Sequence, residues 1–514
     1  MKIKHIILAT ATIGFIGMGA LSCTSKFDDY NTNQNATTKV TPAMLATRII
    51  LNIMELGRAK NFVYDNMLNK QIAWAEGGSE SDQYNKLGRA GYGAYTNLTN
   101  CQKMLLEAES DSEEVQNSYK GLSKFIKAYQ LFYLSMRVGD IPYSDSNGAE
   151  AGNIKPVYDT QKEVMKQILE DLEEAQALFN AGNKFEGDPI LNGDPKKWLK
   201  IAVAFEMKVL INLSKKTNDT DLRVKERFAQ LANGSNLMNS NSDNLQLVYS
   251  NTSGQLYPLY QNDHMQYLMI SSTIIDPLKH FNDYRLFYYA APADYATNND
   301  IPASEWDAYW GIDPSALQSD NNVLHGEGKD CGPNERYLQP EGEPLIRIGY
   351  MEQNFILAEA ALRGWIDSGK ASEYYKRGIR ASMEFIANAT PDKEDFHHGH
   401  PITAGYIEEY LTQESIQLNG NFNHDLEIVL LQKYLGSYLQ HPDNDCFYDN
   451  RRTGYPVLPL NPESNLNTDP NKFPVRWMYP QGELDYNNEN VQAAIDRQYK
   501  GNDEFNQIMW ILQD

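Results

Sequence analysis

The sequence has no excess of basic charge, little cysteine and, beyond its first residues, no long apolar run. Lys and Arg total 46 against 68 Asp and Glu, a formal charge of −22. Such a chain lacks the basic surface that sequence-independent binding to nucleic acid or to anionic lipid requires. Four cysteines in 514 residues make no disulfide framework. With Cys23 set aside, Cys101, Cys331 and Cys446 leave room for one bridge at most. After residue 22 no apolar stretch approaches the roughly 18 residues of a spanning helix. Catalytic signatures are also missing. There is no Gly-x-Ser-x-Gly elbow, phosphate loop, His-Glu-x-x-His or dinucleotide glycine pattern. Acid pairs suited to glycoside cleavage will occur by chance among so many carboxylates, and none stands in a distinctive context. The sequence therefore points away from an enzyme and calls for no cofactor.

Apolar residues make up 41% of the chain, enough for a large core, and Tyr is abundant at 32. Such rings suit packing and clefts that are apolar in body and polar at one end. Lys2 and Lys4 precede an uncharged apolar stretch, Ile6 to Leu21, that ends at Ser22-Cys23. Residues 1–22 read as a secretory signal peptide. Ala20-Leu21-Ser22-Cys23 resembles a bacterial lipobox, with Ala where Leu is usual, so Cys23 is the expected site of lipidation. Residues 23–40 read as the lipidated Cys and a polar linker.

Thr41-Pro42 has the form of a helix start, Thr as N-cap and Pro at the first helical position. Helical spacing then predicts helices at 42–56, 61–74, 115–138, 164–178, 196–214, 348–365, 371–389 and 425–440. In 164–178, Asp171, Glu173 and Glu174 fall on the solvent side. The stretch 196–214 is apolar nearly all round, as in a helix buried among others. The segments 348–365 and 371–389 read as a helical hairpin closed by Gly364. Paired helices with Ala-rich contact faces suggest a tetratricopeptide-like scaffold, about 41–216 and 347–440. The zones 220–345 and 441–490 are rich in Asn, Asp, Gly, Pro and aromatics and read as long loops over that scaffold, where binding sites are usually carried.

His397, His398 and His400 have no carboxylate or Cys at ligand spacing and read as loop residues. Asp443, Asp445 and Asp449 lack the Gly and the closing Glu of a calcium loop. No metal is expected. Loop aromatics are more telling. Trp306, Tyr309 and Trp310 lie in WDAYWGIDP, and Trp74 with Tyr84 in WAEGGSESDQY. Exposed rings of this kind stack on the apolar C–H faces of sugars, with neighbours such as Asn298, Asn299 and Asp300 left to meet the hydroxyls. These five rings are the candidate ligand-binding residues. Trp198 and Trp365 sit on apolar helical faces and read as core.

Several stretches together resemble a known family. They are Cys23 with its acidic tail, NTNQNATTKVTPAML (31–45), RVGDIPYSDS (137–146), DPKKWLKIAVAFEMKVLINLSKK (194–216), FILAEAALRGW (355–365), LQKYLGSYLQ (431–440), NRRTGYPVL (450–458) and FPVRWMYPQGE (473–483). Their order and spacing resemble the SusD/RagB-type outer-membrane lipoproteins of the Bacteroidetes. The resemblance implies a mostly α fold over 41–514, a tetratricopeptide-like helical-hairpin scaffold with a large irregular, loop-rich ligand-binding half. It implies a surface lipoprotein held in outer-membrane lipid through Cys23, which captures a glycan and delivers it to a SusC-like TonB-dependent transporter. Arg137, Pro142, Arg451, Arg452, Gly454 and Pro456 match motifs read as structural, arginines tying loops to helix ends and Gly and Pro setting turns. The family offers no shared ligand motif, so the ring candidates rest on chemistry alone. Oligopeptide capture, a surface glycoside hydrolase and a scaffold for protein partners are the competing readings.

Overall fold

The structure, a computed structural model, describes residues 39–54, 57, 60–75, 80–146, 148, 152–261, 263–440 and 444–514. The expected leader, Cys23 and nearly all of the linker lie outside these residues. The fold is mostly α. Its first half holds α1 (Pro42–Met54), α2 (Lys60–Leu68), β1 (Ile72–Trp74), α3 (Ala94–Glu107), α4 (Glu113–Val138), α5 (Gln161–Asn180) and α6 (Pro195–Asn212). Caps fix several starts. Thr41 Oγ1 accepts the Met44 N–H at 3.2 Å. Thr160 does the same for Glu163 at 3.3 Å, and Asp194 for Lys196 at 2.9 Å, with Pro195 first in its helix.

Helices α4, α5 and α6 pack in sequence, and α1 and α3 lie against each other and against α4. The face of α4 predicted to be apolar, Tyr119 through Met136, is buried throughout. Trp198 is buried with it, its ring stacked on Phe179.

The middle of the chain carries β2 (Leu245–Leu247), β3 (Leu268–Ile270), α7 (Ser272–His280), α8 (Arg285–Tyr289) and β4 (Leu345–Ile348). Two small antiparallel sheets result, β1 with β3 and β2 with β4. Then come α9 (Tyr350–Leu362), α10 (Ala371–Ala389), α11 (Phe422–Gly436), α12 (Asp445–Thr453) and α13 (Asn488–Tyr499). The expected α9–α10 hairpin is present. Gly364, at φ +69°, ends α9 in a Schellman turn: its N–H reaches the Ala361 carbonyl and that of Trp365 reaches Ala360. A Cβ on Gly378 would lie 2.8 Å from the Phe355 ring, so the two helices meet where α10 has no side chain.

The main apolar core runs from Ala46 to Ile511 and takes in both the helices and the loop-rich half. Buried ion pairs cross it. Lys208 of α6 meets Glu352 of α9 and Asp445 of α12 at 2.8 and 2.6 Å. Lys433 of α11 meets Asp449 of α12 at 2.8 Å. Arg451 donates to the Val475 carbonyl at 2.7 Å, and Gly454 follows α12 at φ +83°. Arginine and glycine therefore do the structural work expected of that motif. Asp445 and Asp449 are held by cations of the protein, and Asp443 lies outside the described residues. Cys101, Cys331 and Cys446 are free and buried.

The structure departs from the sequence reading at several places. The helix expected over 61–74 ends at Leu68, because the chain turns through Lys70 at φ +61° and enters β1. Asp171 is buried, bonded to Lys124 at 2.8 Å and to the Tyr143 hydroxyl at 2.7 Å. Helix α3 was not foreseen, since Thr and Asn break its apolar pattern. The zones 220–345 and 441–490 are not merely loop; the first holds several short helices and two strands, the second α12 and the short helix Gln481–Tyr486.

Candidate functional site

Three separate loop segments bring aromatic rings to one place. Tyr284 stands just before α8 and Phe287 lies within it. Trp306 opens the short turn Trp306–Ala308. His400 ends the His-His-Gly-His run, and Tyr406 sits in the helix Ala404–Tyr410. The Tyr284 and Tyr406 rings are stacked, with centroids 3.8 Å apart and planes 5° from parallel. His400 stacks on Phe287 at 3.9 Å and meets Tyr284 edge-on at 4.6 Å. Trp306 lies 4.7 Å from Phe287 and 6.1 Å from His400. Phe287 is buried behind the others, while Tyr284, Trp306, His400 and Tyr406 are half-buried.

Hydrogen bonds fix these rings. The Tyr406 hydroxyl donates to the Asn282 carbonyl at 2.9 Å and accepts the Tyr284 N–H at 2.8 Å. His400 Nε2 stands 2.8 Å from the Ser304 carbonyl, so that nitrogen carries the proton. The Tyr406 hydroxyl is pushed well above its ordinary range, mainly by burial and then by the nearby Asp283 carboxylate, and so stays neutral. Asn282, Ser304, Glu305 and Asp307 are exposed beside the rings. The arrangement is a preformed aromatic shelf with a polar rim, able to stack on an apolar face and to bond groups at its edge.

The five predicted rings divide. Trp306 belongs to this shelf. Trp310 is also half-buried but faces elsewhere, edge-on to the exposed Tyr295 at 5.8 Å. Between them Tyr309 turns inward. It is 0% exposed, packed on Phe287, and its hydroxyl donates to the Ala303 carbonyl at 2.7 Å. Trp74 is 0% and Tyr84 4% exposed. Trp74 lies in β1 against Tyr267, and the Tyr84 hydroxyl donates to the Ala316 carbonyl at 2.8 Å. These three rings are core residues and offer no face to a ligand, because their segments are pinned by backbone pairing. Asn299 gives its side-chain amide to the Tyr295 carbonyl at 2.8 Å.

Tyr284 and Tyr406 escaped sequence reading because they lie about 120 residues apart and within unrelated patterns. His397 and His398 turn to different partners, Asp392 and Asn334. Burial lowers the His398 pKa. Among the described residues no group of three or more side chains is placed to hold a metal, and no helix is long and apolar enough to cross a membrane.

The family model described as SusD-like, "Starch-binding associating with outer membrane", matches residues 34–480. A SusD homologue from Bacteroides fragilis is 50% identical over 92% of this chain and all of its own, with a TM-score of 0.89. A second SusD homologue from the same species is 34% identical over 93% of this chain and all of its own, at 0.81. An outer-membrane protein of Bacteroides vulgatus, ascribed to nutrient binding, is 31% identical over 92% of this chain and all of its own, at 0.83. A comparison with curated proteins finds no match. The chain belongs to the SusD-like family. It is an outer-membrane-associated nutrient-binding protein and not an enzyme.

Proposed function

We propose that the nutrient is a glycan, captured on the Trp306 shelf and handed to a SusC-like TonB-dependent transporter. Cys23 carries the lipid that tethers the protein to the outer membrane, facing the cell surface. The observation that carries this reading is the fixed ring group of Trp306, Tyr284, His400 and Tyr406 on half-buried loops. Pyranose C–H faces stack on such rings, and the exposed Asn282, Asp307 and Ser304 take hydroxyls. The shelf is already assembled, so binding loses little entropy to ordering it.

Calorimetry of residues 24–514 against a panel of polysaccharides and peptides tests the reading, with product analysis on the same samples. Binding of one glycan without cleavage is expected. Preference for peptides would favour the oligopeptide reading, and release of products would contradict a binding role. In cells lacking the transporter, Cys23→Ala should free the protein from the membrane. One acyl chain holds only marginally, whereas the several chains of a lipidated cysteine hold firmly. Retention of the variant on the membrane would remove the lipid tether from the account.

A further inference from the structure

A second hollow, of about 180 Å³, lies where the start of α5, the end of α13 and the turn Trp510–Leu512 meet. It shares no residue with the Trp306 shelf. Its wall combines one indole, one guanidinium and side-chain amides. Trp510 is half-buried, and Lys216 Nζ stands 4.8 Å from its ring centroid. Lys216 also donates to the Gln513 carbonyl at 2.6 Å, which holds this terminal turn in place.

The polar groups here are partly committed. Arg497 gives Nε and Nη2 to Asp140 Oδ2, and Nη2 also reaches the Tyr158 carbonyl at 3.2 Å. Its Nη1 has no partner among the described residues. Gln513 uses its Nε2 on the Ile508 carbonyl at 3.2 Å and keeps its side-chain oxygen. The Trp510 indole N–H likewise has no described acceptor. Two donors and one acceptor thus remain beside a ring.

Charge and size narrow the ligand. Lys162 is held between Asp219 at 2.8 Å and Asp221 at 2.7 Å, and Arg497 is held by Asp140. A carboxylated ligand would compete with three carboxylates for Lys162 and Arg497 and with the Gln513 carbonyl for Lys216, whereas hydroxyl groups need only the remaining donors and acceptor. The volume falls below the roughly 300–1,000 Å³ of pockets that enclose a whole small ligand. One six-membered ring or a chain end suits it.

We propose that this hollow is a second carbohydrate contact, taking one neutral pyranose unit. The inference rests on the glycan reading above but on different residues. Two weak contacts on one polysaccharide raise its retention through effective concentration, so affinity should grow with chain length beyond what the shelf alone spans.

Fluorine NMR on the full mature chain labelled with 5-fluorotryptophan tests it. The seven tryptophans give separate resonances, with Trp510 and Trp306 assigned through Trp510→Phe and Trp306→Phe. The probes are the methyl glycosides of glucose, galactose and mannose, N-acetylglucosamine and glucuronic acid. A saturable shift of the Trp510 resonance with at least one neutral sugar is expected. It should weaken at least tenfold in Gln513→Ala and in Arg497→Lys, which keeps a cation on Asp140, while the Trp306 response stays intact. Movement of Trp306 with no saturable movement of Trp510 would overturn this inference and leave the shelf standing. A response of Trp510 to glucuronic acid alone would overturn the neutral class. If neither resonance responds to any sugar, both readings fall.

Discussion

Arg452 holds Glu359 through two buried bonds, Nη1 to Oε1 at 2.5 Å and Nη2 to Oε2 at 2.9 Å, and so ties α12 to α9. The same Nη2 reaches Asp449 at 2.8 Å. Burial alone would push both carboxyls up, but Arg452, with Lys433 on Asp449, holds them below their ordinary range. A buried pair of this kind adds little net stability, yet breaking it strands a charge. Arg452→Met should therefore cost about 3–5 kcal/mol in denaturant unfolding. Because the folded pKa values are depressed, the stability these acids contribute is present above their unfolded values and lost as pH falls through the folded ones. The variant should accordingly show a smaller loss on acidification than the wild type.

Glu206 behaves in the opposite sense. It is buried on α6, accepts from Gln176 Nε2 at 2.5 Å, and stands 3.8 Å from Arg227, which makes its closer contact with Glu173. Burial outweighs these partners and pushes its carboxyl up to about 8. Between its ordinary value and about 8 the folded state keeps a proton that the unfolded state releases, so stability falls as pH rises through that window. Glu206→Gln keeps the shape without the titration. The variant should lose less stability between pH 5 and 8 than the wild type, by on the order of a few kcal/mol. Thermal unfolding of both proteins across that range checks the sign.

Tyr309 lies between Trp306 and Trp310 in sequence but has a separate role. Tyr309→Phe removes the hydroxyl that meets the Ala303 carbonyl. It should lower stability by roughly 1 kcal/mol and leave glycan affinity unchanged, because its ring is buried. Denaturant unfolding read beside calorimetry separates the two effects. A large loss of affinity with unaltered stability would mean that the ring reaches the ligand.

Much of the scaffold was legible in the sequence. The start of α1 follows from Thr41-Pro42, whose chemistry is local, and α6 follows from an apolar run that is buried nearly all round. The α9–α10 hairpin follows from helical spacing and from Gly364. The ring site was legible only in part. WDAYWGIDP announced aromatic rings, but not which of them point outward. That choice depends on Phe287 and Ala303, which claim Tyr309 for the core. Tyr284 and Tyr406 meet face to face only because α8 and the segment around His400 fold together, a contact with no local signal. Trp74 stands where the helix expected over 61–74 gives way to a Gly-rich segment; no alternation marks a three-residue strand, and pairing with β3 buries the ring.

The central claim is that the Trp306 shelf captures a glycan, and calorimetry of the mature chain and of Trp306→Ala against the same polysaccharide tests it most directly. The ring is half-buried against Phe287, so the variant should lose some stability yet remain folded, which denaturant unfolding checks. We predict that its affinity falls at least tenfold, a loss of about 1.4 kcal/mol or more. An unchanged affinity in a folded Trp306→Ala protein would contradict the account and place the ligand elsewhere.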